Sequence, residues 1–272
     1  MGGRKMGNLN EIAAHLLQND DVQLIIGYGE GSAGRVRPLF VSNKKATEKL
    51  LFDSRCTQNL ASYLYKKEIT CLGKPAIVAN IRTLRGIIRL AAEHQLEDET
   101  IIALAVSTGD DVKELRRLED MEQYLSEADL QLKKEDKALL DKLNAMTIAD
   151  RWAFWQQEMA HCIKCYACRQ ACPLCYCTQC TVEINQPQWI PVASSKLGNM
   201  EWHIMRSMHL AGRCIECGQC GEACPANIPI HLLPIRLAEE IRELYGSVTG
   251  ISKRESCEMS SFQPDDKEKF IT

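Results

Sequence analysis

The sequence lacks long hydrophobic runs and has no excess of positive charge. Its longest apolar stretch, residues 101–106, is far shorter than the roughly 20 residues that a membrane-spanning helix needs. The formal net charge is -3 and the sequence pI is about 6.1, so no basic field exists to attract nucleic acid or an anionic membrane. We therefore expect neither nucleic acid binding nor direct membrane insertion.

The N-terminal residues contain none of the common targeting signals. The first ten residues hold no apolar segment of the secretory type, and Met6 stands where a myristoylation motif requires serine or threonine. These absences predict a cytoplasmic protein.

Cysteine is scarce in the first 160 residues, where only Cys56 and Cys71 occur out of fourteen in the whole chain. The others are concentrated in short tracts, which is not typical of a disulfide framework. Clustered thiols without a secretion signal favour a reducing compartment and bound metal, because thiolates are the ligands that iron-sulfur centres select.

Two cysteine runs share the spacing C-x₂-C-x₂-C-x₃-C-P. In this pattern three thiolates of one loop bind three corners of a [4Fe-4S] cubane, and the fourth cysteine binds the other cluster. The prediction is that cluster one is held by Cys162, Cys165, Cys168 and Cys224, and cluster two by Cys214, Cys217, Cys220 and Cys172. Zinc and disulfide bonds are the alternatives. Zinc fits poorly, because its sites usually consist of two separated pairs of ligands.

Three more cysteines, Cys175, Cys177 and Cys180, follow the first run closely. They could ligate a third centre, with a fourth ligand from Cys56, Cys71 or Cys257. Buried cysteine also packs as a small hydrophobic residue, and we favour that interpretation.

Alternating short β-branched runs and amphipathic segments predict a small α/β sheet in the N-terminal part. The predicted strands are residues 22–26, 36–41, 76–79 and 100–106, and Asn80 is predicted to cap a helix after the third. Residues 110–144 are rich in charge and predict a solvent-facing helical connector. Three further helices are predicted at residues 148–161, 200–210 and 230–245.

These elements predict an α+β protein with four parts. They are a partner-docking α/β domain (1–109), a helical connector (110–147), a mainly helical dicluster domain (148–250) and a polar tail (251–272). The two runs are separated by 42 positions, 214 minus 172, which is longer than a compact β-type ferredoxin needs. An α-helical ferredoxin form is therefore favoured.

A glycine pattern, G-x-G-x-x-G, occurs at Gly29, Gly31 and Gly34 after a predicted strand. It would suit a flavin or nucleotide phosphate if a helix followed. The next residues, 35–41, instead look like a strand and include Pro38, so a hairpin or turn is favoured.

Two parts of the chain resemble known redox proteins. Residues 74–89 and 101–106 are similar to the N-terminal domain of the deazaflavin-reducing hydrogenase and formate dehydrogenase beta-subunit family. Residues 162–180, 214–229 and 262–266 resemble the related dicluster subunits, with an α-helical ferredoxin domain like that of heterodisulfide reductase subunits. Where that family carries Pro-Cys-Gln, this chain has Val78-Ala79-Asn80. The difference argues against a family-type flavin site.

The leading hypothesis is an electron-transfer subunit with two [4Fe-4S] clusters and no catalytic residues of its own. It would relay single electrons between redox modules of a cytoplasmic anaerobic complex, its partners being a hydrogenase, a formate dehydrogenase or a heterodisulfide-reductase-like flavoprotein. One alternative is a flavin-containing subunit that exchanges hydride with a nicotinamide or deazaflavin, and another is an iron-sulfur redox sensor. Five cations near the runs either raise the cluster potentials or are ordinary surface charges: Lys164, Arg169, Lys196, Arg206 and Arg213.

Overall fold

A computed structural model describes residues 8–106, 111–184 and 186–253 and shows an α+β fold, as predicted. Its sheet has the strand order β2-β1-β3-β4-β5, in which β1, β3 and β4 run parallel and both edge strands run antiparallel to their neighbours. The strands are β1 (Leu24–Glu30), β2 (Val36–Val41), β3 (Pro75–Ala79), β4 (Ile102–Val106) and β5 (Val112–Leu115).

The helices of the first half pack around this sheet, and those of the second half form a separate layer. The first group is α1 (Leu9–Gln18), α2 (Lys67–Thr70), α3 (Ile81–Ala92) and α4 (Leu118–Ser126), with short 3-10 helices at Ser32–Gly34, Lys44–Lys49 and Leu60–Tyr63. The second group is α5 (Lys134–Ala145), α6 (Ile148–Ala160), α7 (Ala167–Gln170), α8 (Lys196–His209), α9 (Gln219–Glu222) and α10 (Leu232–Tyr245).

The centre of the sheet is apolar on both faces. All residues of β3 and β4 are buried, as expected for parallel strands covered on both sides. Asn80 caps α3 as predicted, and its side-chain oxygen accepts a hydrogen bond from the Thr83 amide at 2.9 Å. The four predicted strands are confirmed, with limits that shift at most four residues.

The charged segment after residue 110 does not begin as a helix, so this part of the connector prediction is wrong. Val112–Leu115 forms β5, which pairs with β4, and α4 follows directly. Val112 and Leu115 are buried while Lys113 is exposed, and Leu118 and Met121 of α4 join the core of the sheet. The many charged residues on the solvent side made this segment look like an exposed helix, although its few apolar residues pack against the sheet.

The second half is helical, as predicted. Helices α6, α8 and α10 coincide with the three predicted helices, although α8 begins four residues earlier. Its start is determined by Ser195, whose side chain accepts a hydrogen bond from the Gly198 amide. Helix α8 packs against both α6 and α10, and α10 also packs against α5.

Charged side chains join the two halves. Arg213 pairs with Glu93 at 2.6 Å, and Arg85 pairs with Glu216 at 3.3 Å. Burial favours protonation of Glu93, but its bonds to Arg213 and the nearby Arg89 outweigh this and lower its pKa below the usual range. Two buried or half-buried ion pairs therefore hold α3 to the cysteine-rich half.

Some predictions fall on residues outside the described ranges. These are the first seven residues, Cys257 and the polar tail beyond Lys253. Among the helices of the described residues, none has the length and apolar character to cross a bilayer.

Candidate metal centre

The two cysteine runs fold into loops with the same backbone conformation. The second residue after the first cysteine of each run, Lys164 and Glu216, has a positive φ of 53° and 57°. The fourth, Tyr166 and Gly218, also has a positive φ, of 58° and 74°. A short helix then follows in each run, α7 and α9. Left-handed conformations are unusual for residues other than glycine, so their recurrence at matching positions indicates a loop shaped for one purpose.

Each loop directs a backbone amide at the sulfur of its first cysteine. The Lys164 amide donates to Cys162 Sγ and the Glu216 amide donates to Cys214 Sγ, both at 3.4 Å. Such bonds stabilise a thiolate and tune an iron-sulfur centre. The two loops are therefore chemically as well as geometrically equivalent.

The cysteines assigned to cluster one lie around one cavity. Its lining includes Cys162, Cys165, Cys168 and Cys224, together with Trp202 and His203. Burial raises the pKa of the Cys162 thiol, and the neighbouring Cys224 and Cys165 raise it further. The structure thus places the fourth cysteine of the second run at the same cavity as the first three of the first run.

His203 and Asn199 of α8 hold the first loop in place. His203 Nε2 lies 3.3 Å from Cys162 Sγ, and burial lowers its pKa to about 3, with further lowering by Arg206 and Lys164. A neutral imidazole can donate its proton to the sulfur. The Asn199 side chain donates to the carbonyl oxygens of Met159 and Cys162 at 2.9 and 2.8 Å.

The cysteines assigned to cluster two lie in the core that extends from the sheet. Cys172 and Cys217 are buried in that core, and Cys214 packs against it. Cys220 is also buried, on the side of the helical core. Arg82 of α3 donates to the Cys217 carbonyl oxygen at 3.1 Å. Helix α3 of the N-terminal half thus contacts the second loop directly.

The two candidate centres differ in access to solvent. Cys165 of cluster one is exposed and its neighbour Ile163 is 66% exposed, whereas Cys172, Cys217 and Cys220 of cluster two are all buried. Cluster one would therefore lie near the surface and cluster two between the halves.

The residues present fit two four-thiolate clusters. Burial raises the pKa of Cys168 to about 12 and that of Cys217 to about 11, so bare thiolates there would be unfavourable. Bound iron supplies the positive charge that such thiolates need. Among the described residues, no three histidine, cysteine or acidic side chains converge as they would on a single ion. Four of the cysteines, Cys162, Cys165, Cys168 and Cys224, instead line one cavity.

The three additional cysteines have separate environments. Cys175 is hydrogen-bonded to Cys172, and this bond together with burial raises the pKa of its thiol. Cys177 is exposed, and Cys180 packs against the helical core. Of their suggested fourth ligands, Cys56 is buried near Asp53 and Cys71 is exposed. Within the described ranges these thiols are not gathered at one metal ion.

The aromatic residues of α6 do not line the cavity of cluster one. Trp152 is half exposed and Trp155 lies in the helical core. Trp202 and Tyr166 line the cavity instead. The buried face of α8 carries Asn199, Trp202, His203 and Arg206, and this three-and-four spacing was the available signal.

The glycine pattern lies in the turn between β1 and β2, which pair antiparallel. The Gly31 amide donates to the Arg35 carbonyl, and a Cβ at Gly31 would lie 2.9 Å from that oxygen. A Cβ at Gly29 would meet Leu39 at 2.9 Å. Close packing in a hairpin explains these glycines. A strand follows them, without the helix that a phosphate loop needs.

A separate cavity of about 800 Å³ opens at the carboxyl ends of β3 and β4. Its polar lining includes Asn80, Arg82 and Arg85 from α3 and its cap, and Glu216 from the second cysteine loop. This volume is in the range of cofactor sites. The glycines of the hairpin do not line it.

Comparison with known proteins supports the metal assignment. Residues 161–229 match the 4Fe-4S dicluster domain. Two archaeal proteins are similar over about a third of this chain. The F420-dependent formate dehydrogenase subunit beta of Methanocaldococcus jannaschii is 36% identical over 100 residues, 36% of this chain and 25% of its own length. The F420-dependent formate dehydrogenase 1 subunit beta of Methanococcus maripaludis is 31% identical over 97 residues, 36% of this chain and 24% of its own length. The chain thus spans about a quarter of these relatives and carries an iron-sulfur dicluster domain.

Proposed function

We propose that this chain is an electron-transfer subunit that holds two [4Fe-4S] clusters and relays single electrons within a larger redox complex. The observation that supports the proposal is the position of Cys224 of the second run. It lines the same cavity as Cys162, Cys165 and Cys168 of the first run. When bound, the clusters supply the one-electron chemistry, and the protein supplies ligands, burial and hydrogen bonds to sulfur.

The difference in burial between the two clusters supports an order in which electrons pass through them. Cluster two borders the sheet, where Arg82 contacts its loop, and Glu216 of that loop lines the cavity at the strand ends. Cluster one is close to the surface at Cys165 and Ile163. We infer that electrons pass between the α/β half and cluster two, then cluster one, and leave or enter at the surface near Ile163.

Iron analysis tests the two-cluster proposal. The full chain, reconstituted without oxygen, should hold about eight iron atoms, and fewer than about seven would contradict it. Cys224→Ala should remove the same electron paramagnetic resonance (EPR) signal as Cys165→Ala. Cys172→Ala should remove the same signal as Cys217→Ala. The opposite pairing would show that the clusters do not exchange ligands.

The partners are proposed to be other redox subunits in the cytoplasm of an anaerobic cell. The relatives are named as subunits of formate dehydrogenase, which supports a multi-subunit assembly. A hydrogenase or a flavoprotein of the heterodisulfide reductase type would suit the same relay. Unpaired thiols in the described residues agree with a reducing compartment. Anaerobic affinity purification with identification of the associated chains tests these assignments.

A second candidate function is hydride exchange through a flavin bound by this chain. The cavity at the strand ends favours it, because its volume of about 800 Å³ is in the range of cofactor sites and the loop of cluster two is adjacent. A flavin there would accept a hydride from a nicotinamide or deazaflavin and release electrons singly to the clusters. Protein purified anaerobically from its native cells, if extracted without releasing FAD or FMN, would exclude this candidate.

A further inference from the structure

Arg206 of α8 is a buried arginine between the two cysteine runs. It is 4% exposed. Its Nη2 donates to the Cys168 carbonyl oxygen at 3.1 Å, while its buried Nε has no hydrogen-bond partner among the described residues. A buried guanidinium is unfavourable unless negative charge and hydrogen-bond acceptors surround it.

The negative charges that act most strongly on Arg206 come from cysteines of both candidate clusters. They are Cys220, Cys175, Cys172 and Cys168. Cys168 is assigned to cluster one, and Cys220 and Cys172 to cluster two. The guanidinium is also hydrogen-bonded to the side chains of Cys220 and Cys175. Arg206 therefore faces ligands of two clusters at once.

Other cations near the runs have partners elsewhere. Arg169 pairs with Glu183 and Arg213 pairs with Glu93. Lys164 donates to the Pro191 carbonyl oxygen. Their charges are largely offset by these contacts or by solvent, whereas the strongest offsetting charges at Arg206 are cysteine sulfurs.

We propose that Arg206 is a shared counter-charge that raises the reduction potentials of both clusters, with its Nε-H available to donate to a sulfur of a bound cluster. This inference rests on the proposed function. A cubane with four thiolate ligands is an anion, and each added electron increases its negative charge. A fixed cation in a poorly solvated site therefore favours the reduced form. One cation placed between two clusters should affect both.

The experiment compares Arg206→Gln with Arg206→Lys in the full chain, each reconstituted without oxygen. Arg236→Gln is the matched control, because it removes the same charge from a surface arginine paired with Glu239 and Glu240. Iron content is measured first, and the midpoint potentials are then determined by EPR-monitored titration. We expect Arg206→Gln to shift both midpoints to more negative values, Arg206→Lys to shift them less, and Arg236→Gln to leave both unchanged.

The iron content separates failure of this inference from failure of the proposed function. Wild-type protein without two clusters would contradict the proposed function itself. With two clusters present, unchanged midpoints in Arg206→Gln, or a shift in only one, would overturn the shared counter-charge. If Arg206→Gln fails to load iron while Arg206→Lys loads fully, the charge is required for assembly, which supports the inference. Equal loss of iron in both variants would overturn it, because shape rather than charge would then be decisive.

Discussion

The two cysteine loops have the same sequence spacing and backbone conformation but lie in different surroundings. The first loop belongs to the helical half, where Asn199 and His203 of α8 hold it and Cys165 reaches the surface. The second loop lies against helix α3, where Arg82 donates a hydrogen bond to the Cys217 carbonyl oxygen, and Cys217 is buried. Equivalent ligand loops can thus serve different positions in a relay, because burial and the supporting residues determine the solvent access and the reduction potential of each cluster.

The largest expected effect comes from removing one ligand of each loop. Cys217→Ala and Cys165→Ala should each cost about half of the iron. Cys217 lies in the core that continues into the sheet, so its loss should also lower the urea midpoint of the N-terminal half. Cys165 is exposed, and its loss should leave that midpoint unchanged. Iron analysis and circular dichroism measure both effects. Equal destabilisation by the two variants would contradict the difference in burial.

The next largest effect concerns the ion pairs that connect the two halves of the protein. Glu93→Gln leaves Arg213 and Arg89 without their carboxylate and should destabilise the protein by about 3 kcal/mol. Because the folded pKa of Glu93 is lowered, its contribution is fully present above the ordinary value of about 4.5, and thus at neutral pH. Urea unfolding at pH 7 measures the loss.

The same substitution at an exposed pair provides the control for Glu93. Glu30 pairs with Arg55, and both side chains are more than two-fifths exposed. Glu30→Gln should therefore cost less than about 1 kcal/mol. If the two glutamine variants were equally stable, the contact between α3 and Arg213 would not hold the halves together.

Substitution of Asn199 should change the EPR signal of cluster one and leave that of cluster two unchanged. Asn199→Ala removes hydrogen bonds to the Met159 and Cys162 carbonyl oxygens inside the helical half. Leaving buried carbonyls without donors should cost about 2 kcal/mol. We expect the EPR signal of cluster one to broaden and that of cluster two to stay as in the wild type. A change in cluster two alone would show that the first loop does not depend on α8.

The sequence predicted the central strands and an iron-sulfur dicluster domain, which the family match at residues 161–229 bears out, but not the residues that surround the eight proposed ligand cysteines. Buried strands such as β3 and β4 are continuous apolar runs and are visible in a single sequence. Strand β5 was missed because the charged Lys113 and Glu114 separate its two buried residues, Val112 and Leu115, so the segment lacks the alternation typical of a strand. The spacing of the cysteines by itself indicates iron-sulfur ligation, so this prediction could be made without knowing the fold.

The roles of the supporting residues depend on how helices pack, and that could not be predicted from spacing. Arg206 and Arg169 look alike in the sequence, yet Arg206 is buried between the runs while Arg169 pairs with Glu183. The environment of Arg206 depends on which side of α8 packs against the cysteine runs. Likewise, Arg82 gains its contact with Cys217 only because α3 packs against a loop 135 residues further along the chain. Long-range packing of this kind leaves no periodic signal.

The smallest expected effect tests the contact between the sheet and the second loop. Arg82→Met removes one hydrogen bond to the Cys217 carbonyl oxygen and a long contact with Glu222, and should cost about 1 kcal/mol because the side chain is partly exposed. We expect a shift in the EPR signal or midpoint of cluster two while cluster one keeps both. Arg82→Lys, which keeps a donor, should restore most of the wild-type signal. A shift confined to cluster one would mean that the sheet supports a different loop, and the proposed order of the relay would have to be reversed.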